Sequence, residues 1–464
     1  MGDSGGQQRS RNTLLQDVIK AAGVTYETLA RSVRSIAGEA GDSVRTNRSA
    51  IAHWVAGAMP SEPTARYLAE ALSRQLRRPV TLSEIGLAGT PSAAAPVWRL
   101  DTLAALNELG RDDLDMGRRR ALTAAAYSVA ALAVPGPAWW TQMAESSTVP
   151  SMTNRLKVGR RDLETVRDMA AMFSRVDQRH GGGHARTAAV QYLTTDVAAY
   201  LNGHFTDGSV RRDMFSAAGE LAYLSGWMAF DSAEHSLAQR YFTTAVSLAA
   251  EADDAPLAGH VLRAMAHQAV DLGHPGHALN VAAASMDGSR YVLATPRERA
   301  LLGVVHARAL AAVGQKKAAV AALLRAEDDL SSARPGDEDP ARVFFFSEAS
   351  LAHETACTLR DIGDLNGAQQ QFRRSVRTRA ASSFTRTHAV TLGYLGAVQA
   401  RQGAMEEACA TWSRALDSMD GIRSARARRT ALDMRRALSP VRGRGIPTVV
   451  ELDHRAAAYL AESA

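Results

Sequence analysis

The sequence predicts an all-α protein in which a small N-terminal helix-turn-helix domain precedes an α-solenoid of paired helices. The composition is rich in Ala and Arg and only 6% aromatic, and both residues favour helices. A short helix pattern lies between Thr46 and Pro60, and a register of Gly and Ala recurs five times in the second half. A chain of 464 residues is long enough for two or more such domains.

The segment from Thr46 to Pro60 has the features of a short helix with a defined end. Thr46 or Asn47 provides a polar cap for the first turn, and Gly57 and Pro60 stop the helix. Spacings of three and four residues place the apolar side chains on one stripe. That stripe consists of Ile51, Trp54 and Val55.

The polar side chains outside that stripe make the segment a candidate for the reading helix of a helix-turn-helix, which presents its first residues to the major groove of DNA. The residues predicted to contact DNA are Arg45, Asn47, Arg48, Ser49 and His53. Arg45, in the preceding loop, is the predicted phosphate contact, and the others face base edges and phosphates. The predicted partner of this region is double-stranded DNA.

The helices predicted around this segment support the same assignment. Apolar spacing predicts a helix ending near Gly23, a second beginning after Thr25, and another from Thr64 to Arg77. The matching motifs are Glu27-Thr-Leu-Ala30, Ser49 to Ile51, Trp54-x-x-Gly57-x-x-Pro60 and Leu68-Ala-Glu-Ala-Leu72. With these motifs, residues 1–90 resemble the Cro/repressor-like (XRE-type) helix-turn-helix family, and we expect residues 1–10 to be disordered.

The segment that precedes the reading helix is longer than in that family. A helix-turn-helix joins its helices by about three to four residues, whereas the stretch from Ile36 to Thr46 lies between the two patterns here. Either the second helix is longer or the turn contains an insertion. Two functions therefore stay open: a DNA-binding regulator, and a protein-interaction scaffold with a vestigial helix-turn-helix.

Five segments of the second half share one register. Four have a Gly followed five residues later by an Ala, and the earliest has the Ala alone: Gly273/Ala278, Gly314/Ala319, Gly363/Ala368, Gly403/Ala408 and Ala238. A large apolar residue follows that Ala by four positions in most copies, and a small residue precedes it by twelve. Small residues let two antiparallel helices approach closely, so each copy predicts a helix pair. The register is similar to that of tetratricopeptide repeats.

These patterns divide the chain into four predicted regions. After the domain at 1–90 we expect a linker at 91–158 with an apolar helix at 118–134, a repeat domain at 159–440, and a C-terminal tail or capping helix at 441–464. The apolar run after Arg118 is too short to span a bilayer, so no membrane association is expected. The basic segment Arg423 to Arg429 is either a solvated helix face or an auxiliary contact for DNA or an acidic partner.

No sequence pattern indicates an enzyme, a cofactor or a metal site. The chain has no phosphate-binding loop, no Gly-x-Ser-x-Gly elbow and no His-Glu-x-x-His helix. Cys357 and Cys409 lie in apolar helical patterns, so we expect two buried free thiols in a reducing cytoplasm. The formal net charge of +6 permits nucleic-acid binding without demonstrating it.

The order of the regions resembles the NsdA-like regulators of development and antibiotic production in streptomycetes. The resemblance implies a cytoplasmic transcriptional regulator, often a homodimer. The chain is also similar to peptide-sensing regulators, which implies a peptide or protein ligand on the concave face of the repeats. By the repeat register alone, the candidate groove residues are Arg263, His267, Arg308 and Gln399.

Overall fold

The chain forms two compact units. The structure, a computed structural model, describes residues 11–39, 42–76, 80–82, 84–87, 98, 101–115, 127–146, 156–334, 336–442 and 446–462. The first unit consists of residues 1–99 and 115–135, and the second consists of residues 100–114 and 136–464. The N-terminal ten residues, which we expected to be disordered, lie outside the described residues.

The described part of the first unit contains four α-helices around one apolar core. They are α1 (Thr13–Ala21), α2 (Tyr26–Glu39), α3 (Arg48–Val55) and α4 (Glu62–Leu76). Leu15, Ile51 and Leu68 from three of these helices are fully buried in the core. The side chain of Asn12 caps α1 by accepting from the Leu15 N–H at 2.9 Å, and its Nδ2 donates to the Ile85 carbonyl at 2.9 Å. The start of α1 is therefore fixed against the segment that follows α4.

The predicted apolar helix at 118–134 is not continuous where it is described. Residues 127–134 contain only a 3-10 turn, Ala130–Leu132, and residues 118–126 lie outside the described part. Backbone groups before this turn bond to side chains of α4 instead of to each other. The Val129 N–H donates to the Glu70 carboxylate at 3.1 Å, and Arg74 donates to the Tyr127 carbonyl at 3.2 Å.

The second unit is almost entirely helical in its described part. Its α-helices are α5 (Thr102–Leu114), α6 (Pro137–Ser146), α7 (Arg160–His180), α8 (Gly182–Tyr192), α9 (Ala198–Leu201), α10 (Gly208–Asp231), α11 (His235–Glu251), α12 (Ala255–Asp271), α13 (Pro275–Ser285), α14 (Ser289–Val292), α15 (Pro296–Ala312), α16 (Lys316–Ser331), α17 (Glu348–Ile362), α18 (Leu365–Thr378), α19 (Thr385–Arg401), α20 (Met405–Asp417), α21 (Ala425–Arg442) and α22 (Pro447–Glu462). A π-helical turn, Leu193–Val197, joins α8 to α9, and a 3-10 turn, Ala341–Val343, precedes α17. Two short parallel strands, β1 (Lys157–Val158) and β2 (His204–Phe205), flank the first helical pair.

The region expected to be a linker, 91–158, is not a single connection between domains. Helices α5 and α6 belong to the second unit, whereas residues 115–135 belong to the first. Leu106 and Leu109 of α5 and Met143 of α6 are buried, which explains why these segments fold as helices of the larger unit.

The five predicted repeats form five helix pairs, which confirms the all-α solenoid. The pairs are α10/α11, α12/α13, α15/α16, α17/α18 and α19/α20. The small residues lie where two helices approach most closely. A Cβ added at Gly226 would lie 2.8 Å from the Phe242 ring, and one at Gly396 would lie 2.4 Å from Nε1 of Trp412. Close approach is thus the physical basis of the register.

The turn inside each repeat has a left-handed residue. The glycines at 273, 314, 363 and 403 have φ values of +79°, +82°, +98° and +84°. The earliest repeat lacks this glycine, and Ala233 takes the same position with φ +62°. The backbone conformation of the repeat is therefore retained where the sequence signature is incomplete.

The helical array of the second unit curves until its first and last parts meet. The Arg423 N–H donates to the His180 carbonyl at 2.9 Å, and the Gly183 N–H donates to the Arg423 carbonyl at 3.2 Å. Nearby, Ser424 Oγ donates to the Asp231 carboxylate at 2.9 Å. These bonds join the first helical pair, α7 and α8, to the segment that follows the fifth repeat.

The C-terminal part of the chain adds two helices to the array. Val449, Leu452 and Ala456 of α22 are buried in a core that also contains residues of α20 and α21. Cys357 and Cys409 are buried and free, as predicted. Burial raises the pKa of Cys357 to about 12. Among the described residues, no helix is both long enough and apolar enough to cross a membrane.

Candidate functional site

Helix α3 of the first unit begins at a well-formed cap. Asn47 has an extended backbone, with φ −135° and ψ 177°, and its Oδ1 accepts from the Ala50 N–H at 2.9 Å. Capping occupies the acceptor of this side chain, so its amide N–H groups are the part left for an outside partner. The first turn of α3 is thereby fixed by its own sequence.

The two faces of α3 differ as the sequence predicted. Ile51, Trp54 and Val55 are buried in the core of the first unit. The five candidate DNA contacts are all exposed: Arg45, Asn47, Arg48, Ser49 and His53. These side chains supply guanidinium, amide, hydroxyl and imidazole groups, which are the types that bond to phosphates and base edges.

The chain before α3 is held by two side-chain contacts. Helix α2 ends at Glu39 and α3 begins at Arg48, so the connection is longer than a standard helix-turn-helix turn. Within it, Arg34 donates to the Thr46 carbonyl, and the Tyr67 hydroxyl donates to the Asp42 carboxylate. Burial and the Asp42 contact raise the pKa of Tyr67 to about 12. The longer connection is therefore bonded to α2 and α4.

The second unit contains a cavity of about 640 Å³. Its wall is formed mainly by α7, α10, α12, α17 and α19, together with residues 340–346 and Arg426 of α21. Most of these helices are the first helices of their repeats, whose faces line the inside of the curved array. The volume is within the range of about 300–1,000 Å³ typical of small-molecule sites.

One side of this cavity is closed by a buried ion cluster. Arg386 of α19 donates to the Asp177 carboxylate of α7 at 3.0 Å and pairs with Asp231 of α10 at 3.1 Å. All three side chains are buried. Burial raises the pKa of Asp177 to about 6, although Arg386 opposes the shift. The ion pairs of this cluster link the first helical pair, the first repeat and the fifth repeat.

A second ion cluster comes from the long interval between the third and fourth repeats. Arg342, in the 3-10 turn before α17, contacts Glu298 at 2.7 Å and Glu220 at 2.9 Å. The insertion that interrupts the repeat spacing thus places a paired arginine in the cavity wall.

Two of the four predicted groove residues lie in the cavity wall. Arg263 and His267, both on α12, line it. Arg263 donates to the Tyr223 hydroxyl at 2.9 Å and lies 3.2 Å from Nε2 of His260. Burial lowers the pKa of both His260 and His267, so both rings are neutral near pH 7.

The other two predicted groove residues do not line the cavity. Arg308 of α15 pairs with Asp271 at 2.9 Å and with Glu354 at 3.3 Å, so its charge is satisfied by neighbouring repeats. Gln399 of α19 is buried, and neither residue is part of the cavity wall. The repeat register placed the four residues on first helices of the repeats, but it did not separate cavity residues from those packed between helices.

Sequence reasoning missed Arg379 and Arg426, which also line the cavity. Arg379 lies just after the second helix of its repeat, outside the faces we considered. Arg426 belongs to the basic segment predicted to be solvated or to bind an acidic partner. Its guanidinium lies 6.0 Å from the Trp227 ring centroid and 5.8 Å from that of Phe230. The only sequence signal for Arg426 was the local density of arginine.

Within the described ranges, no three His, Cys, Asp or Glu side chains are grouped in a way that could hold a metal ion. The buried thiol of Cys357 lies 3.8 Å from Nε2 of His353. Burial keeps the pKa of this thiol high, so it is not poised as a thiolate nucleophile.

Comparisons with known proteins found a family match and a similar solved structure. Residues 15–88 match the family described as SP15 N-terminal domain. No curated protein matches the chain. A crystal structure of a Rap protein complexed with competence and sporulation factor is similar, with 14% identity and a TM-score of 0.39, over 65% of this chain and 97% of that one. At that level of similarity, the fold assignment rests on the helix pairs described above.

Proposed function

We propose that this protein is a transcriptional regulator that binds DNA through α3 and is controlled by a ligand of its repeat unit. The observation that carries the proposal is the division of α3 into a buried apolar face and an exposed polar face. Arg48, Ser49 and His53 project from a helix that Ile51 and Trp54 anchor in the core. The proposal is of a regulator of the NsdA-like kind, cytoplasmic and dimeric, and not of an enzyme.

Control by the repeat unit requires a ligand that binds one state of the protein better than another. The cavity of about 640 Å³ provides a place for such a ligand in the second unit. Part of its polar wall is organised by ion pairs such as Arg386–Asp177. A ligand that altered those pairs would change the energy of the curved array, which gives a physical route from binding to a change of state.

The test is genome-wide DNA occupancy of the intact protein beside Arg48→Ala and Lys20→Ala variants. Both side chains are exposed, so neither change removes core packing. We expect discrete enriched sites that Arg48→Ala loses and Lys20→Ala keeps. On an enriched sequence, binding should weaken steeply as salt rises, because phosphate neutralisation releases counterions. Absence of enriched sites, or equal occupancy by Arg48→Ala, would refute the DNA-binding function.

The protein-interaction scaffold is the second candidate, favoured by the long connection between Glu39 and Arg48. A reading helix approached in this way docks differently from that of a standard motif. This candidate predicts no sequence-specific DNA binding at low salt. It also predicts a protein partner whose capture by the intact chain is unchanged by Arg48→Ala.

A further inference from the structure

We propose that the cavity of the second unit binds a small organic anion, a carboxylate or phosphate with an apolar body. The anionic group is held by Arg263, Arg379 and Arg426 beside the Trp227 ring. The inference names the ligand class of the proposed regulator, and it rests on that proposed function for its biological role. The binding site itself is argued from contacts within the second unit alone.

Seven arginines line the cavity wall, and two of them, Arg167 and Arg212, are exposed. The other five fall into two groups. Arg386 pairs with two buried carboxylates, and Arg342 pairs with the buried Glu298 and the half-buried Glu220. In contrast, Arg263, Arg379 and Arg426 form no ion pair with any residue that the structure describes. A buried guanidinium without a counter-charge is costly, so its presence calls for an explanation.

Arg379 and Arg263 are buried with unused donors. Arg379 is 8% exposed, and its Nη2 donates to the Ala349 carbonyl at 3.0 Å. Arg263 is 2% exposed and bonds to Tyr223 and His260. In each side chain the buried Nε has no hydrogen-bond partner. Burial lowers the pKa of Arg379 to about 10, with only a partial offset from Glu354, so this site lacks a matched anion.

Arg426 brings a third guanidinium to the cavity wall, beside Arg263. It and Arg263 both lie over the Trp227 ring, at 6.0 Å and 5.6 Å from the ring centroid. The guanidinium of Arg426 makes no hydrogen bond in the described part of the chain. Acidic groups at longer range, including Asp271 and Asp231, raise its pKa despite burial, so it is charged. Its N–H donors are therefore available to a molecule in the cavity.

The chemistry of the ligand follows from these groups. Planar guanidinium groups bind carboxylate and phosphate oxygens with paired hydrogen bonds. Leu224, Leu301 and Phe345 contribute apolar surface to the same wall, which suits an apolar or aromatic body. The cavity volume of about 640 Å³ suits a small molecule.

The test uses the intact protein and five probes: benzoate, phenyl phosphate, inorganic phosphate, hexaglutamate and the neutral analogue benzamide. Binding is measured by calorimetry for the wild type and for Arg379→Gln, Arg426→Gln and Arg377→Gln. Arg377 is exposed on α18, two residues from Arg379, and is the matched control. We expect benzoate or phenyl phosphate to bind and benzamide not to bind. Arg379→Gln and Arg426→Gln should each weaken binding by about tenfold or more, and Arg377→Gln should not.

A second measurement separates a ligand site from a structural role. Without ligand, Arg379→Gln should leave the unfolding temperature unchanged or raise it, because it removes an unpaired buried charge. The increase in unfolding temperature caused by the anion should disappear in the same variant. A lower unfolding temperature with an unchanged anion effect would show that Arg379 is structural and overturn the proposal.

The remaining outcomes also decide the question. Equal binding of benzamide and benzoate would show that charge is not recognised, and no binding of any probe would overturn the anion site. If inorganic phosphate bound and the phenyl group of phenyl phosphate added no affinity, the ligand would not need an apolar body. Binding of hexaglutamate in place of the small anions would assign the site to an acidic peptide. Anion binding without enriched DNA sites would leave this inference standing and refute only the proposed function.

Discussion

Replacing Ala233 by Gly should stabilise the second unit. Ala233 is exposed and has φ +62° in the turn between α10 and α11. A left-handed conformation brings the Cβ of an L-residue too close to the following carbonyl and costs about 1–2 kcal/mol. Glycine avoids that cost, but it loses about 0.4–1 kcal/mol through the greater freedom of the unfolded chain. The expected net gain is about 0.5–1 kcal/mol.

The reverse change provides a check within the same molecule. Gly403 has φ +84° in the corresponding turn of the fifth repeat, and a Cβ there meets no atom within 4 Å. Gly403→Ala therefore tests backbone strain without a steric clash and should destabilise by a similar amount. Ala321→Gly, at an exposed position inside α16, should cost about 1 kcal/mol because the helix backbone there has ordinary geometry.

Scanning calorimetry of the intact protein is the assay. The second unit has roughly 340 residues, so an entropy of unfolding of about 2.1 cal/mol/K per residue makes 1 kcal/mol equal to about 1.4 °C. We expect a rise of about 1 °C for Ala233→Gly and falls for Gly403→Ala and Ala321→Gly. If Ala233→Gly lowered the transition as much as Ala321→Gly does, left-handed strain at this turn would be refuted.

Three further predictions concern packing, charge and pH. Gly396→Ala should destabilise by about 1–3 kcal/mol, because the new Cβ would lie 2.4 Å from Nε1 of Trp412; an unchanged calorimetric transition would argue against close packing there. Arg386→Ala should cost about 3–5 kcal/mol, measured by urea unfolding, because it leaves Asp177 buried without its partner. Burial lowers the pKa of His353 to about 3. As the pH falls below about 6.5, the usual pKa of histidine, His353 therefore takes up a proton in the unfolded chain but not in the folded chain. Stability should therefore fall by about 2 kcal/mol from pH 7 to pH 5 through this group. His353→Gln should lack that part of the pH dependence. Burial raises the pKa of Asp177, so its protonation has the opposite effect on stability, but this contribution is common to both proteins.

The repeats and the faces of α3 could be predicted because each depends on residues close in sequence. Two helices that cross closely accept only small residues at fixed positions, as at Gly226 and Gly396. The stripe of Ile51 and Trp54 follows from helical spacing alone. A turn of the same shape was harder to recognise at Ala233, because the backbone conformation persists without the glycine that signals it.

The cavity residues could not be separated in advance because their roles depend on contacts between repeats. Arg263 and Arg308 occupy comparable first helices, but Arg308 meets Asp271 and Glu354, while Arg263 meets aromatic rings and a neutral histidine. The acidic partners of Arg308 lie 37 and 46 positions away in the sequence. The register indicates which face a side chain occupies but not which charge the next repeat places opposite it.

The closure of the helical array also depends on contacts between residues that are distant in the sequence. Arg386 and Asp177 meet although 209 positions separate them, because small rotations accumulate from one repeat to the next. No local motif records that curvature, and the resemblance to peptide-sensing regulators implied only a concave face. Closure converts the face into a cavity whose paired arginines are already satisfied. Three wall arginines that are not exposed and form no ion pair with any described residue, at 263, 379 and 426, then become the groups by which the second unit distinguishes one ligand from another.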